Sequence, residues 1–252
     1  MILNSQEIKT LRKNGKVLSL ILGKLLKMVY QKKTGDEIEF EANKLIKSAG
    51  GYPAFKEVKN EKNEFYPASI CLSLNEEVVH ALPFDKVIRS GDVVSIDLGL
   101  RLDNLITDMA WTVYLDGKDK KILRMLEANK EALYKSSKIS KVFNYTSDLS
   151  KIIEAIARKY GFFPVKELTG HGVGKTLHEK PTIFNYVVDD KKERLILGMA
   201  LAIEPIFALK EYKQLRFSNN WAIIAPEGNV TSHFESTVLV TKKEGEILTP
   251  SP

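Results

Sequence analysis

A single cysteine, Cys71, occurs in the chain, so a disulfide framework lacks its pairs and a cysteine-based zinc finger lacks its ligands. Long apolar runs are missing too. The longest near the start, Val17 to Leu22, is interrupted by Ser19 and followed by Lys24 and Lys27. It falls far short of the roughly 20 residues that span a bilayer, and no small-residue cleavage site follows it. No low-complexity tract or Pro/Gly/Ser linker divides the sequence. These absences predict a cytoplasmic protein without a membrane partner. Apolar residues at 44% and charged residues at 28% exclude wholesale disorder. At 252 residues, the chain can form one domain or two small ones around a well-buried core.

Acidic residues are outnumbered, leaving a net charge of +6. That surplus admits an anionic partner such as RNA or a ribosome surface. The lysines are dispersed and not interleaved with aromatics, which favours the plainer reading of solvated helix faces.

The first 50 residues predict two helices. Asn4 with Glu7 forms one capping box, and Ile8, Leu11, Leu18, Leu22 and Leu25 recur at helical spacing. Thr34 with Glu37 opens a second helix, which Gly50 and Gly51 end. After a charged loop, Lys56 to Glu64, the stretch Ser69 to Leu74 alternates as a strand does. Val93 to Leu98 and Trp111 to Leu115 predict two more strands, joined by a segment carrying Gly99 and Asn104. Helices are expected over Asp119 to Lys138 and Ser147 to Tyr160, with Gly161 as the stop. Strands are expected again at Met199 to Ile206, Asn219 to Ile224 and Thr237 to Val240.

One internal echo stands out. Gly91 to Asp97 and Gly198 to Glu204 each run from a glycine through an alternating strand to Ile plus a carboxylate. Downstream, Asp108 and Glu235 each precede a further β-rich run. Asp97 and Glu204 end apolar strands, where an unpaired charge costs several kcal/mol. One such carboxylate is ordinarily a buried ion pair. Four of them, with no matching set of Lys or Arg in the neighbouring strands, point to cations from outside the chain.

Only four histidines are present, and two fall in the glycine-rich run Gly170 to Pro181, at His171 and His178. His178-Glu179 has no second histidine at helical spacing, so no zincin motif exists. The Lys175-Thr176 pair lacks the glycine spacing of a phosphate loop. One imidazole with four carboxylates suits Mn, Fe, Co or Zn. Two such ions, about 3.5–4 Å apart, share a hydroxide at neutral pH and attack a polarised carbonyl. The expected chemistry is hydrolysis of an amide, ester or phosphate.

Six ordered blocks carry a closer resemblance. Asn75 to His80, Ser95-Ile96-Asp97, Thr107-Asp108, Gly170 to Gly174 with His178 to Pro181, Ala202 to Pro205, and Phe234 to Thr237 resemble type I methionine aminopeptidases over nearly the whole chain. The resemblance implies the α+β pita-bread fold: two pseudo-symmetric halves of antiparallel sheet backed by helices around a dinuclear site. It implies a single catalytic domain over 1–252, with N-terminal helices to about 50 and halves of about 51–140 and 141–252. Asp97 would chelate one metal, Asp108 and Glu235 would bridge two, and His171 and Glu204 would bind the second. Glu204 would also assist proton transfer. His80 would engage the scissile region and the leaving amine, and His178 the oxyanion. Phe55, Tyr66, Cys71, Leu177 and Trp221 would form the substrate pocket. The partner implied is the N-terminus of a nascent polypeptide, handled by a monomer.

Departures from that pattern cluster at the pocket. The loop between Phe55 and Tyr66 is longer than the family's glycine turn, Ala81 replaces a glycine, and Leu177 stands where an aromatic is common. His233 replaces a glutamine and Ser236 a histidine. Residues 233 and 235 share a face if the segment is a strand, so His233 either lies behind the metal ligands or is an exposed strand residue. Xaa-Pro peptidases on the same scaffold usually carry a histidine four residues before His171, where Glu167 stands here. Type II methionine enzymes carry a large insertion, whereas His171 and Glu204 are only 33 positions apart. Binding proteins built on the fold have lost ligands that this chain retains.

Overall fold

Two capped helices open the chain in a computed structural model that describes residues 2–188, 192–218 and 221–252. Helix α1 (Ser5–Tyr30) starts where the Asn4 side chain accepts from the N–H groups of Gln6 and Glu7 at 2.9 Å, while Glu7 accepts from the Asn4 N–H at 2.8 Å. The same reciprocal box at Thr34 and Glu37 starts α2 (Gly35–Ser48). Short strands β1 (Tyr52–Pro53), β2 (Cys71–Leu74) and β3 (Glu77–Val79) lead to the long hairpin of β4 (Val93–Leu102) and β5 (Leu105–Tyr114). A second helix pair follows, α3 (Lys120–Lys138) and α4 (Thr146–Tyr160). Gly161, at φ 78°, ends α4 in the left-handed conformation that glycine tolerates best.

The remaining strands are β6 (Phe163–Pro164), β7 (Thr169–Gly172), β8 (Glu179–Phe184), β9 (Ala200–Ile203), β10 (Ile206–Ala208), β11 (Arg216–Ser218), β12 (Ala222–Ile224), β13 (Thr231–His233), β14 (Ser236–Leu239) and β15 (Glu246–Ile247). Every strand pairing is antiparallel. The sheets run β1-β4-β2 with β5 on β4, β13-β10-β6, β11-β12-β3, and β15-β14-β9-β7-β8. Helices followed by strands thus occur twice, giving the expected α+β arrangement of two like halves.

Each helix pair covers the outer face of its own strands. Leu18, Leu22, Leu25 and Ile38 of α1 and α2 pack on Ile96, Leu98 and Met109. Met125, Leu133 and Ile153 of α3 and α4 pack on Leu201, Ile203 and Phe207. Trp111 touches both clusters and meets Phe234 edge-to-face at 4.9 Å. Because side chains alternate along a strand, the opposite faces of these strands are left to line the interior between the halves.

Several strand bounds differ from the sequence expectation, each for a physical reason. The hairpin strands extend to residues 102 and 105, because the chain reverses at Asp103-Asn104, both at positive φ (51° and 62°), as a two-residue hairpin requires. Gly99 therefore lies inside β4, and Asp97 and Asp108 are mid-strand rather than at strand ends. The strand expected over Met199 to Ile206 is broken at Glu204-Pro205, since proline has no N–H to continue a ladder. Its two pieces join different sheets. The strand expected from Ser69 starts at Cys71, because the N–H groups of Ser69 and Ile70 go to the Glu39 carboxylate. Of the strand expected over Asn219 to Ile224, β12 covers Ala222–Ile224, while Asn219 and Asn220 lie outside the described residues.

Among the described residues, no helix is long and apolar enough to cross a membrane. Leu22 is fully buried between α1 and the β4–β5 hairpin, so Leu22→Ala should cost about 2–5 kcal/mol. Urea unfolding checks this, and an unchanged midpoint would show that the helix layer does not support the hairpin.

Candidate metal centre

Four carboxylates and two imidazoles meet where the inner faces of the two halves oppose each other. The β4–β5 register sets Asp97 opposite Ala110 and Asp108 opposite Gly99, so the two acids share one face with small residues across from them. His171 lies on β7, paired with Ala202 of β9. Gly170 beside it approaches so closely that an added Cβ would stand 2.5 Å from the Ala202 carbonyl oxygen. The start of the glycine-rich run is therefore a strand pressed against its neighbour, and residues 173–178 form the loop that leads into β8. Glu204 follows β9 directly, and Glu235 sits between β13 and β14, with Ser236 opposite Ile203.

The atoms converge. Ligand atoms of Asp108, His171 and Glu235 all lie within 4.8 Å of one another. His171 Nε2 is 3.6 Å from Glu204 Oε1 and 4.0 Å from Asp108 Oδ2. His171 Nδ1 lies 2.9 Å from the Gly172 carbonyl oxygen, which fixes the Nδ1–H tautomer and leaves the Nε2 lone pair facing the acids. His233 Nε2 is 3.5 Å from Glu204 Oε2 and 3.7 Å from Glu235 Oε2. With an exposure of 3% it is a buried histidine, which removes the exposed-strand reading.

Burial dominates the electrostatics. It pushes the carboxyls of Asp97, Glu204 and Glu235 well above the carboxylate range and Asp108 to about 7, with the neighbouring acids adding repulsion at Asp97, Asp108 and Glu235. The histidines move the other way. Burial lowers His171 and His233 to about 3, and it also lowers His80 and His178, whose rings stand open to the cavity. Among the described residues no lysine or arginine pairs with any of the four acids. Asp97 Oδ1 and Glu235 Oε1 have no hydrogen-bond partner at all. Oxygen-rich, desolvated, lacking an internal cation and joined by an imidazole with a free lone pair, this donor set fits hard or borderline divalent ions.

Above the acids opens a cavity of about 490 Å³. It brings together all the residues singled out from the sequence: Asp97, Asp108, His171, Glu204 and Glu235 at the base, His80 and His178 on the walls, and Phe55, Tyr66, Cys71, Leu177 and Trp221 on the apolar side. Tyr66 stacks edge-on between Phe55 (6.3 Å) and Trp221 (4.9 Å), and its hydroxyl lies 3.1 Å from the carbonyl oxygens of Ile70 and Ala81. Burial raises both the Tyr66 phenol and the Cys71 thiol, so each keeps its proton. The His171 and His178 rings meet edge-to-face at 4.5 Å.

Several supports escaped sequence reasoning. The Asp108 N–H donates to Thr237 Oγ1 at 2.8 Å, and that hydroxyl donates to the Asp108 carbonyl at 2.9 Å. Glu39, buried on α2, holds the segment leading into Cys71. Neither residue carries a local signal, because each acts across a long stretch of sequence. Glu167, Thr169, Lys180 and Thr182 line the polar mouth, and Glu167 accepts from the Tyr212 hydroxyl at 2.6 Å.

Comparison with known proteins agrees with this geometry. Residues 9–242 match metallopeptidase family M24. A methionine aminopeptidase of Aquifex aeolicus is 36% identical over 250 residues, 98% of this chain and 97% of its own length. The crystal structure of a methionine aminopeptidase from Thermotoga maritima superposes with a TM-score of 0.89 at 32% identity, covering 99% of this chain and 98% of that one. A prolidase from Pyrococcus furiosus shares the fold at a TM-score of 0.79 and 23% identity, with 66% of that chain covered.

The buried acids make a pH prediction. Each keeps its proton to higher pH folded than unfolded, so stability falls as pH rises through the folded values. Below about pH 6.5 the buried neutral histidines oppose this, but above it they are uncharged in both states. With chelator present, the melting temperature should therefore fall between about pH 6.5 and pH 8 as Asp108, near 7, ionises. Asp108→Asn should flatten that slope; a rise over the same interval would contradict the buried-charge argument.

Proposed function

The chain belongs to metallopeptidase family M24, and from that premise we propose that it is a metal-dependent aminopeptidase that removes the initiator methionine from new polypeptides. The observation that carries this reading is the convergence of four buried acids and His171 at the base of a cavity with one apolar side. The methionine aminopeptidases of similar sequence and structure extend nearly end to end along the chain.

In this reading the cofactor is a pair of divalent ions, of Mn, Fe, Co or Zn. Asp97, Asp108, His171, Glu204 and Glu235 would hold them. Ions bound there supply Lewis-acid activation of water and of the scissile carbonyl. Everything else falls to the protein. Tyr66, between Phe55 and Trp221, offers a rigid apolar wall for an unbranched thioether side chain, with Cys71 and Leu177 completing the pocket. Glu204, buried against His171, takes and returns the proton that must pass from the attacking water to the leaving amine. His178, held against the His171 ring, donates to the carbonyl oxygen as negative charge develops on it. His80 faces the scissile amide and the departing nitrogen. It stands at φ 59°, an unusual angle for a non-glycine residue.

The acidic base of the cavity suits a free α-amino group, and the depth of the apolar side suits one long side chain. The chain is a single catalytic domain in this reading, acting in the cytoplasm as a monomer on chains leaving the ribosome.

Cleavage of Met-Ala-Xaa against Xaa-Pro-Xaa peptides, with divalent metal added, tests the assignment. Preference for the first is expected, whereas preference for the second would replace it with the prolidase reading and cleavage of neither would favour a binding protein. His178→Ala should lower kcat/KM by about 10²–10³, mostly through kcat, as loss of one oxyanion donor does. A loss confined to KM would assign His178 to binding alone.

A further inference from the structure

One side chain at the base of the cavity has no task in that mechanism. His233 is 3% exposed, and its Nε2 has no hydrogen-bond partner, a costly state for a buried ring nitrogen. Its backbone is fixed. The His233 N–H donates to Thr112 Oγ1 at 2.9 Å, and the Thr112 hydroxyl donates to the His233 carbonyl at 2.7 Å. On the other side, Ile206 pairs with His233 in the β10–β13 ladder. A residue whose main chain is held this firmly, with its buried ring nitrogen facing two acids, is placed rather than accidental.

The two oxygens of Glu204 are divided between two imidazoles. Oε1 lies 3.6 Å from His171 Nε2 and Oε2 lies 3.5 Å from His233 Nε2. The imidazoles face it differently. The Nδ1 of His171 is engaged at the Gly172 carbonyl, so its Nε2 presents a lone pair. In a metal-bound centre Glu204 and Glu235 would both be carboxylates. The Nε2 of His233, which faces Glu204 Oε2 at 3.5 Å and Glu235 Oε2 at 3.7 Å, would then be attracted to them as an N–H. A carboxylate's terminal torsion is broad and roughly two-fold, so Glu204 needs a partner on one oxygen if the other is to keep a fixed direction.

We propose that His233 is a positioning residue: its Nε2–H donates to Glu204 Oε2, with Glu235 alongside, and keeps Glu204 Oε1 turned toward His171. The proposal rests on reading the site as a divalent-metal centre. It also gives a purpose to the histidine that stands where the resemblance implies a glutamine. Both side chains offer an N–H donor at similar reach, and neither adds charge.

The test is a Co(II) titration of the metal-free chain, followed by calorimetry and visible absorption, with His233→Leu and His233→Gln. Leucine keeps most of the volume and removes the N–H; glutamine restores an N–H. His233→Leu should bind Co(II) about 10–100-fold more weakly and shift the absorption band, and His233→Gln should return to within about threefold of wild type. Comparable metal-free melting temperatures would separate this from loss of fold, and His233→Ala replaces the leucine variant if that one does not fold. Wild-type affinity and spectrum in His233→Leu would overturn the proposal, as would a glutamine variant no better than leucine. Failure of the wild-type chain to bind Co(II) would instead overturn the metal centre, and the inference with it.

Discussion

Four carboxylates held in a desolvated cavity repel one another, and the rest of the molecule is arranged so that they cannot separate. Like charges within a few ångströms, in a medium far less polarisable than water, are tolerated only with protons or cations among them. Asp97 and Asp108 are locked in the ten-residue strands of one hairpin. Glu204 and Glu235 emerge side by side where β9 and β14 end their pairing. The helices stay out of the site. They cover the far faces of the strands with aliphatic side chains and so fix the distance between the acids from behind.

Paired main-chain bonds join the two halves at the site. Thr237 takes both backbone groups of Asp108, and Thr112 takes both backbone groups of His233. The Glu235 N–H donates to the Ala110 carbonyl at 2.9 Å. In each case the residue that faces the cavity, or its immediate partner, has its main chain tied to the opposite half. The site is therefore stiff in its backbone, while its acids remain unsatisfied at their tips.

Much of this was legible in the sequence, and the illegible parts have a common cause. Helix starts were readable at Asn4-Glu7 and Thr34-Glu37, because capping is local chemistry. The repeated glycine-to-carboxylate pattern ending in Asp97 and Glu204 pointed to two like halves, since each strand must alternate to bury one face. The break at Glu204-Pro205 was readable in principle from the proline, but the apolar run before it masked the signal. The start of β2 was not readable. It depends on Glu39, some thirty positions earlier, drawing two N–H groups away from the ladder. The face of His233 followed from strand alternation, but its depth did not, because depth depends on β5 and β10 packing over it.

The supports of the centre are spread very late along the chain. Glu235 and Thr237 come near its far end, and the Thr237 N–H itself donates to Thr249 Oγ1 at 2.9 Å. During synthesis, the first hairpin is thus exposed long before the acids and threonines that complete its inner face. A growing chain can form α1, α2 and the β4–β5 hairpin and still have no centre able to hold an ion. The full set of acids is therefore complete only once the last strands dock, so metal affinity at full strength would report on finished folding rather than on any part of it.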